Sequence, residues 1–391
     1  MNQHSDISAA RPALRIDHLH AQDLSADDAV HWQAFLAQRP ELEGPYFDMR
    51  YVKAIGASVP HACVARFRHG DRIVGYFPYQ IRSGALQPLG APLSDYHGMI
   101  AAPGFDMPFA ELLAATGAKR LEFQGWVGPM CGAAKSLSLR RRQADTRLGF
   151  EHWWQTRNAG HHKFFKNIGR CERNVEKDFG GFAFSWECVT PDVLDWVIDL
   201  KRQQYRKTGM HDVFDCGWTY AMLSALATSD DQDFGLRAGV FRHAGRIVAA
   251  EIALSDGQHV HLWFPAYDPA YYRYSLGILL TVAIIRHLAP LGVKSFDFGT
   301  GGEDYKSPLT TEAGECLEGN LKYAPRLGSQ MLDMTAKALP IGRPEFDRTR
   351  LSLKRRVNII RATETGLKGW ARALSGLMRR ALLRVKPHSA A

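Results

Sequence analysis

The sequence lacks the cysteine spacing of a disulfide-rich secreted protein or a zinc site. Its 391 residues include 6 cysteines, which are scattered, and no two of them form a C-x-x-C pair. Paired or clustered spacing is what a disulfide framework or a metal site requires. We therefore expect reduced thiols, a cytosolic protein and no bound metal.

Long hydrophobic runs are also missing. The longest apolar run, residues 276–285, is far shorter than the roughly 20 residues that a membrane-spanning helix needs. The first residues show no basic segment followed by an apolar one, so we expect no signal peptide. Hydrophobic residues make up 46% of the chain, which is enough to bury two cores, and a chain of this length usually divides into two domains.

Excess positive charge is absent outside the C-terminal segment. Residues 331–391 hold 14 Lys and Arg against 4 Asp and Glu, a net charge of +10, whereas residues 1–330 hold 35 against 36, a net charge of −1. A neutral globular part does not indicate nucleic-acid binding. The tail, residues 331–391, interleaves apolar and basic residues and predicts amphipathic helices. These would lie on an anionic membrane surface or pack back on the body.

Residues 1–12 are expected to be disordered.

Hydrolase and kinase signatures are missing as well. Ser94, Asp95 and His97 are near neighbours in sequence, and neighbouring side chains cannot build a catalytic triad. The Asp297-Phe298-Gly299 segment is similar to the magnesium motif of kinases, but no Gly-rich loop precedes it and no His-Arg-Asp loop exists. We expect Asp297 to shape the site or to cap the turn that follows it.

Hydrophobic alternation and turn residues predict a mixed α and β chain with two related halves, residues 13–150 and 151–330. Turn sequences at Gly70 and Gly245 predict two β-hairpins. The remaining predicted elements are helices at 27–38, 109–116, 159–179, 191–207 and 278–288, and strands at 120–123, 182–188, 259–264 and 294–298.

One segment suggests a phosphate-bearing cofactor. Small residues in the turn before the helix at 278–288 would leave backbone N–H groups free, which suits a phosphate or pyrophosphate. A second Gly-rich bend follows the strand at 294–298 and would bring Asp297, Glu303, Asp304 and Lys306 close to its end. Ligand sites of α/β proteins gather at such ends, so the pattern predicts an enzyme.

The order of hairpin, strand, small-residue turn, helix and strand resembles the GNAT acyltransferase core. More closely, residues 15–325 resemble the CelD/BcsL-type GNAT proteins associated with cellulose and exopolysaccharide biosynthesis, and they are similar to the Fem aminoacyl transferases. The pieces that carry the resemblance are Val74-Gly75-Tyr76-Phe77-Pro78, Leu93-Ser94-Asp95-Tyr96-His97, the cationic helix from Lys163 to Arg173, Tyr271 to Gly277, Asp297-Phe298-Gly299-Thr300-Gly301 and Tyr305-Lys306.

The resemblance implies an α/β fold of two tandem GNAT-like halves, each a mixed central sheet flanked by helices. It implies acetyl-CoA or another acyl-CoA as co-substrate, with no metal. The implied donor-binding residues are Tyr272, Arg273, Ser275, Leu276 and Gly277. In GNAT enzymes the acceptor amine attacks the thioester directly, so a base and good positioning are sufficient. The implied catalytic residues are Glu251, Asp297 and Lys306.

Each of these residues also has a structural interpretation. Glu251 would be a buried carboxylate with a raised pKa or an exposed residue of an edge strand. Lys306 would neutralise a phosphate or oxyanion or be a solvated surface lysine. His259 and His261 share one strand face and are expected to line the core or a pocket. The residues expected to contact the acceptor, with a structural turn and a solvated helix face as alternatives, are Asp95, Tyr96, His97, Lys166, Arg170 and Tyr305.

The sequence thus predicts a cytoplasmic GNAT-type N-acyltransferase that acylates an amine of a sugar or cell-envelope precursor, with polysaccharide biosynthesis implied by the resemblance. A peripheral location at the inner face of the membrane goes with the basic tail. Two alternatives stay open. One is a Fem-like aminoacyl transferase that uses aminoacyl-tRNA, and the other is a non-catalytic GNAT-fold scaffold in envelope synthesis.

Overall fold

Fourteen strands and eight helices are labelled here in chain order. The computed structural model describes residues 13–130, 136–229, 231–300, 305–322, 356–364, 366, 369–371 and 373. The predictions for residues 1–12, for Glu303 and Asp304, and for most of the tail lie outside these residues.

The strands are β1 Leu14–Leu19, β2 Ala62–His69, β3 Arg72–Arg82, β4 Ala85–Pro88, β5 His97–Gly98, β6 Ile100–Ala101, β7 Arg120–Val127, β8 Leu137–Asp145, β9 Ala183–Cys188, β10 Gly235–His243, β11 Arg246–Ser255, β12 His259–Tyr267, β13 Ser295–Asp297 and β14 Thr311–Lys322. The helices are α1 Ala26–Leu36, α2 Met49–Gly56, α3 Phe109–Thr116, α4 Phe150–Gly160, α5 His162–Phe179, α6 Pro191–Thr208, α7 Trp218–Ala227 and α8 Leu276–Leu288. Residues 356–363 of the tail are also helical.

The described strands of both halves belong to one mixed sheet. Its order is β1-β2-β3-β4-β7-β14-β8-β13-β12-β11-β10-β9, with β5 beside β7 and β6 beside β3. Two strands cross over between the halves. β8, from the end of the first half, pairs with β13 of the second, and β14, from the end of the second half, pairs with β7 of the first. The predicted boundary at residue 150 therefore divides the chain but not the sheet.

Helices cover both faces of the second half of the sheet. Apolar residues of α5 and α8 pack on one face of β10, β11 and β12, and those of α6 and α7 pack on the other. The α8 helix lies close to β10, since a Cβ atom at Gly239 would be only 2.5 Å from the side chain of Ile284. This close contact holds α8 against the sheet, and α8 begins at Leu276, in the donor turn predicted from the sequence.

The parallel strands β12 and β13 separate at their carboxyl ends. They pair only from His259 to His261 on β12, opposite Ser295 to Asp297 on β13. β13 then ends, while β12 continues beside β11 with a bulge that leaves Trp263 without a partner there. A bulge bends its strand and increases the local twist. The result is a notch between the two strands, just past His261 and Asp297.

Most predicted elements are confirmed, including both hairpins, α1, α3, α6 and the succession β12, α8, β13. The single helix predicted over 159–179 is wrong at its start, because His161 leaves the helical conformation, with φ −138° and ψ 41°, and separates α4 from α5. The pattern did not predict β8 and β14, whose residues are largely exposed or half-buried. Such strands carry little of the apolar alternation by which strands are recognised.

Candidate active site

The loop that precedes β5 crosses from the first half to the ends of β12 and β13. It packs tightly on β7, since a Cβ atom at Gly125 would lie 1.8 Å from the carbonyl oxygen of Asp95. Gly125 also has a φ of +79°, a conformation that favours glycine. This contact holds Asp95 and Tyr96 beside His261 and Asp297, which the parallel register of β12 and β13 places opposite each other.

His261 is the centre of the site. Its Nδ1 lies 2.9 Å from Oδ1 of Asp297 in a hydrogen bond. Its Nε2 lies 2.9 Å from Oδ2 of Asp95, in an ion-pair contact without hydrogen-bond alignment. Burial alone lowers the pKa of this imidazole, but the two carboxylates outweigh burial and raise the pKa to about 9. His261 is therefore an imidazolium at neutral pH, held between two carboxylates.

Asp297 is buried, and both oxygens of its carboxylate accept hydrogen bonds. Its Oδ1 accepts from the Tyr96 hydroxyl at 3.0 Å and from the Gly299 amide at 2.8 Å. Its Oδ2 accepts from Nε2 of Gln143 at 3.1 Å. Burial raises the pKa of this carboxyl, but the bonds from His261 and its other donors outweigh burial and hold the pKa below its usual value. With these donors around it, Asp297 fixes the positions of its neighbours, and its bond to Gly299 is the turn cap expected from the sequence.

Glu251 lies on β11, which pairs with β10 on one side and β12 on the other. The interpretation of Glu251 as an exposed edge-strand residue is therefore wrong. Its side chain is only 3% exposed, and among the described residues its Oε1 has no hydrogen-bond partner. Burial raises the pKa of this carboxyl to about 8, although the charges of Lys201, His261 and Lys306 pull it down. Glu251 is thus neutral at pH 7 and can take up a proton once ionised.

Lys306 lies beside the end of β13. Its Nζ donates to the carbonyl oxygen of Phe298 at 3.0 Å and lies 5.8 Å from the ring centre of the exposed Tyr305. Its positive charge also acts on Glu251. The structure therefore places Lys306 at the notch, half-buried rather than freely solvated.

The predicted donor turn is a short 3₁₀ helix, Pro269–Tyr274, followed directly by α8. Ser275 joins the two in the left-handed conformation, with φ 55°. Tyr272 is 76% exposed, whereas the Arg273 guanidinium contacts the Tyr274 hydroxyl and lies 3.6 Å from Asp178 of α5. The amides of Ile278 and Leu279 donate to the Ser275 carbonyl oxygen at 3.0 and 3.1 Å. The amides that this helix start leaves without intrahelical acceptors are therefore those of Leu276 and Gly277.

The structure brings together Asp95, Tyr96, Asp297, Glu251 and Lys306, all of which the sequence singled out. It does not bring Lys166 and Arg170 to them. Both of these are exposed on α5, a helix that contacts α8 and the donor turn. The Arg170 guanidinium is bonded to the Asn167 side chain on its own helix.

Sequence reasoning did not assign a role to His261, Gln143 or Tyr46. The alternation of His259 and His261 correctly indicated a buried strand face, but the pairing of His261 with Asp297 depends on strand register. The Tyr46 ring packs edge-on against His261, with ring centres 5.0 Å apart. Tyr46 precedes α2 in the first half, where no local pattern connects it with β12.

Two kinds of feature are absent from the described residues. They contain no group of three or more His, Cys, Asp or Glu side chains arranged to hold a metal ion. Within the same residues, no helix combines the length and apolar character needed to cross a membrane.

A protein-family model matches the part of the chain that contains most of this site. Residues 162–307 match the family model described as acetyltransferase (GNAT) domain. The match covers the donor turn, Glu251, His261, Asp297 and Lys306. It confirms the prediction of an acyltransferase and, with the mixed sheet flanked by helices, the predicted fold class.

The solved structures that match this chain share little sequence identity with it. The C-terminal domain (DUF2156) of a putative lysylphosphatidylglycerol synthetase from Agrobacterium fabrum is 12% identical, with a TM-score of 0.47 over 82% of this chain and 98% of that one. A tandem GNAT protein from the clavulanic acid biosynthesis pathway is 13% identical, with a TM-score of 0.47 over 80% and 100%. FemX is 9% identical, with a TM-score of 0.47 over 81% and 99%. A comparison with curated proteins found no match.

Proposed function

We propose that the protein is an N-acyltransferase that moves an acyl group, in the simplest case acetyl, from acyl-CoA to an amine of a sugar or cell-envelope precursor. The observation that carries the proposal is the coincidence of the GNAT family match with a notch where β12 and β13 separate beside a buried carboxyl, Glu251. The resemblance to the CelD/BcsL type supports a role in cellulose or exopolysaccharide biosynthesis, at the cytoplasmic side of the membrane.

The donor end of the site fits a pyrophosphate. The first turn of α8 contains no acidic residue, and the positive end of a helix favours an anion. A Cβ atom at Gly277 would meet nothing closer than Tyr267, at 3.9 Å, so this side of the helix start is open. Leu276 and Gly277 would contribute backbone amides, with Tyr272 exposed beside them. The Ser275 amide donates to the Tyr272 carbonyl oxygen at 3.5 Å, so Ser275 would contribute its hydroxyl. Arg273 is already held by Tyr274 and Asp178.

The chemistry requires a proton acceptor for the ammonium group of the acceptor. Ionised Glu251 takes one proton, and the resulting amine attacks the thioester carbonyl. The new C–N bond forms as the C–S bond breaks, and a second nitrogen-bound proton passes to the departing thiolate. A base is most effective when its pKa is near the working pH, and burial places that of Glu251 at about 8.

Lys306 and Asp297 have different tasks in this proposal. The ammonium group of Lys306 lies near the end of β13 and would stabilise the developing oxyanion. Asp297 acts as a positioning residue, because its oxygens are occupied by His261, Tyr96, Gly299 and Gln143. Precise placement of this kind contributes a large share of the rate in a direct transfer reaction.

Donor binding is tested by a thermal-shift titration with acetyl-CoA. A ligand that binds only the folded protein stabilises it by about 2.7 kcal/mol at 100 times its Kd, so a saturable rise in Tm is expected. A Fem-like enzyme that uses aminoacyl-tRNA as its donor, or a scaffold without a ligand, would show no rise in Tm with acetyl-CoA. No response to any acyl-CoA would refute the proposal.

The donor turn is tested by Gly277→Val. The new side chain has room within the protein, so the variant should fold but should obstruct the open side of the α8 start and weaken acyl-CoA binding at least tenfold. The matched control is Gly160→Val at the end of α4, where the added side chain also meets nothing within 4 Å. Equal acyl-CoA affinity in both variants would remove the turn from the donor site.

A further inference from the structure

A second opening lies on the first-half side of Asp95. It is a cavity of about 130 Å³ between the loop before β5, strands β7 and β14, and the tail helix at 356–363. Asn358, Ile359 and Ala362 of that helix form one wall. The wall is anchored, because Trp218 Nε1 donates to the Thr363 carbonyl oxygen at 3.0 Å.

The charged residues that line this cavity are acidic. They are Asp95, Glu122 and Glu318, and the described lining residues include no Lys or Arg. Glu122 is bridged to Arg120 at 2.7 Å and also accepts from Gln87 at 3.1 Å. Arg120 balances the charge of Glu122 and the His261 imidazolium that of Asp95. Because the described lining itself carries no Lys or Arg, it favours a cation over a phosphate. The cationic face of α5 does not contribute to it.

His97 gives the cavity a built hydrogen-bonding group. It lines the cavity and is 8% exposed, yet neither ring nitrogen has a hydrogen-bond partner among the described residues. Burial lowers the pKa of His97 to about 3, so the ring is neutral, with one donor and one acceptor nitrogen. Buried polar groups without partners are rare, and a ligand hydroxyl would satisfy this one.

Asp95 connects the cavity with the reaction centre. Its side chain is 42% exposed, and its carboxylate contacts His261 at 2.9 Å. Thr300, which follows β13 closely, lines the same cavity. An amine held by Asp95 would therefore lie next to the His261 and Glu251 environment, where the proposed transfer takes place.

We propose that this cavity is the acceptor site, that it binds a cationic amine bearing neutral hydroxyl groups, and that it discriminates against phosphate-bearing acceptors. Asp95 holds the ammonium group and His97 bonds a hydroxyl. The amides of Gln87, Gln124 and Asn358 supply further polar contacts. The acceptor is then an amino sugar or an amino polyol that carries no phosphate. This assignment rests on the proposed function.

The test uses the full chain and three soluble probes: glucosamine, glucose and glucosamine 6-phosphate. Calorimetry without donor should show saturable binding of glucosamine, at least tenfold weaker binding of glucosamine 6-phosphate, and weaker binding still of glucose. Asp95→Asn should weaken glucosamine binding at least tenfold, and His97→Phe severalfold. The control Asp106→Asn, at an exposed acidic residue outside the cavity, should change nothing.

A charge-reversing variant keeps the test informative if Asp95→Asn unfolds. Gln124 is exposed and lines the cavity, so Gln124→Lys should fold, weaken glucosamine binding and narrow the discrimination against glucosamine 6-phosphate. The assignment is overturned if glucosamine does not bind up to tens of millimolar, if the phosphate probe binds as well, or if Gln124→Lys leaves both affinities unchanged. An acetyl-CoA response alongside any of these results would leave the proposed function intact, whereas a missing response would refute that function separately.

Discussion

Replacing Glu251 with glutamine tests whether this buried carboxyl changes its protonation state on folding. The side chain keeps its size but can no longer ionise. In the folded protein, burial raises the carboxyl pKa to about 8 from its ordinary value of 4.5. The folded state therefore holds a proton that the unfolded state has lost over this range. The stability that the Glu251 proton contributes should be fully present below pH 4.5 and should be lost as the pH rises to 8.

The size of the effect follows from the two pKa values. Each pH unit between them corresponds to about 1.4 kcal/mol, so the whole interval amounts to at most about 5 kcal/mol, and we expect about 2 to 5 kcal/mol. Glu251→Gln should lack this decline. At pH 5 the two proteins should unfold at similar urea concentrations, because the wild-type carboxyl is then also neutral.

The assay is urea unfolding followed by tryptophan fluorescence, with both proteins measured at pH 5 and pH 8. The free energy of unfolding of the variant relative to wild type should increase between these pH values. A difference that stays constant would show that Glu251 is ionised in the fold, and the argument from burial would fail. In the same variant kcat should fall at least a hundredfold with donor affinity retained, as expected for loss of a general base.

Three further predictions concern His261, the end of β13 and the tail. The pKa of His261 is raised to about 9 from an ordinary 6.5, so its charge contributes stability that is present below pH 6.5 and lost as the pH rises to 9. Over that range the difference in unfolding free energy between wild type and His261→Gln should shrink by up to about 3 kcal/mol. An unchanged difference would contradict the ion pairs assigned to His261. Lys306→Ala and Asp297→Ala should lower kcat more than donor affinity in steady-state kinetics, and wild-type kcat in either variant would remove that residue from the site. The full chain should co-sediment with anionic vesicles and be released by high salt, whereas a chain ending at residue 330 should not, and equal behaviour of the two would exclude the tail as an anchor.

The described part of the tail agrees with the alternative interpretation, in which the tail packs back on the body. Ile360, Ala362 and Thr363 are buried against the body, with the Thr363 hydroxyl 2.8 Å from Nε2 of His211. In the described part of the tail, therefore, apolar residues contact protein. Membrane contact would have to come from tail residues other than these.

Local patterns were sufficient for the elements that build the donor side. Gly70 and Gly245 marked hairpins, and the apolar run before Pro290 marked α8, because these signals depend only on near neighbours in sequence. The site itself depends on distant ones. Asp95 and Asp297 meet at His261 only through strand register and the crossing loop, and neither can be read from periodicity.

Burial was the other quantity that the sequence left open. Glu251 sits in an apolar run that fits either an edge strand or an interior strand, and its pKa depends on which of the two is present. β10 and β12 on either side decide the matter. The strands β8 and β14 were not recognised because Arg140, Glu312 and their neighbours are charged and exposed, although these strands join the two halves.

The exchange of β8 and β14 limits how this protein can move. In many two-domain enzymes a hinge lets the halves open for substrate and close for reaction, but here a rotation between the halves would break the hydrogen bonds of β8 to β13 and of β14 to β7. It would also separate Asp297 from Gln143. We therefore expect substrates to reach the site by displacement of loops, while the sheet between the halves stays continuous.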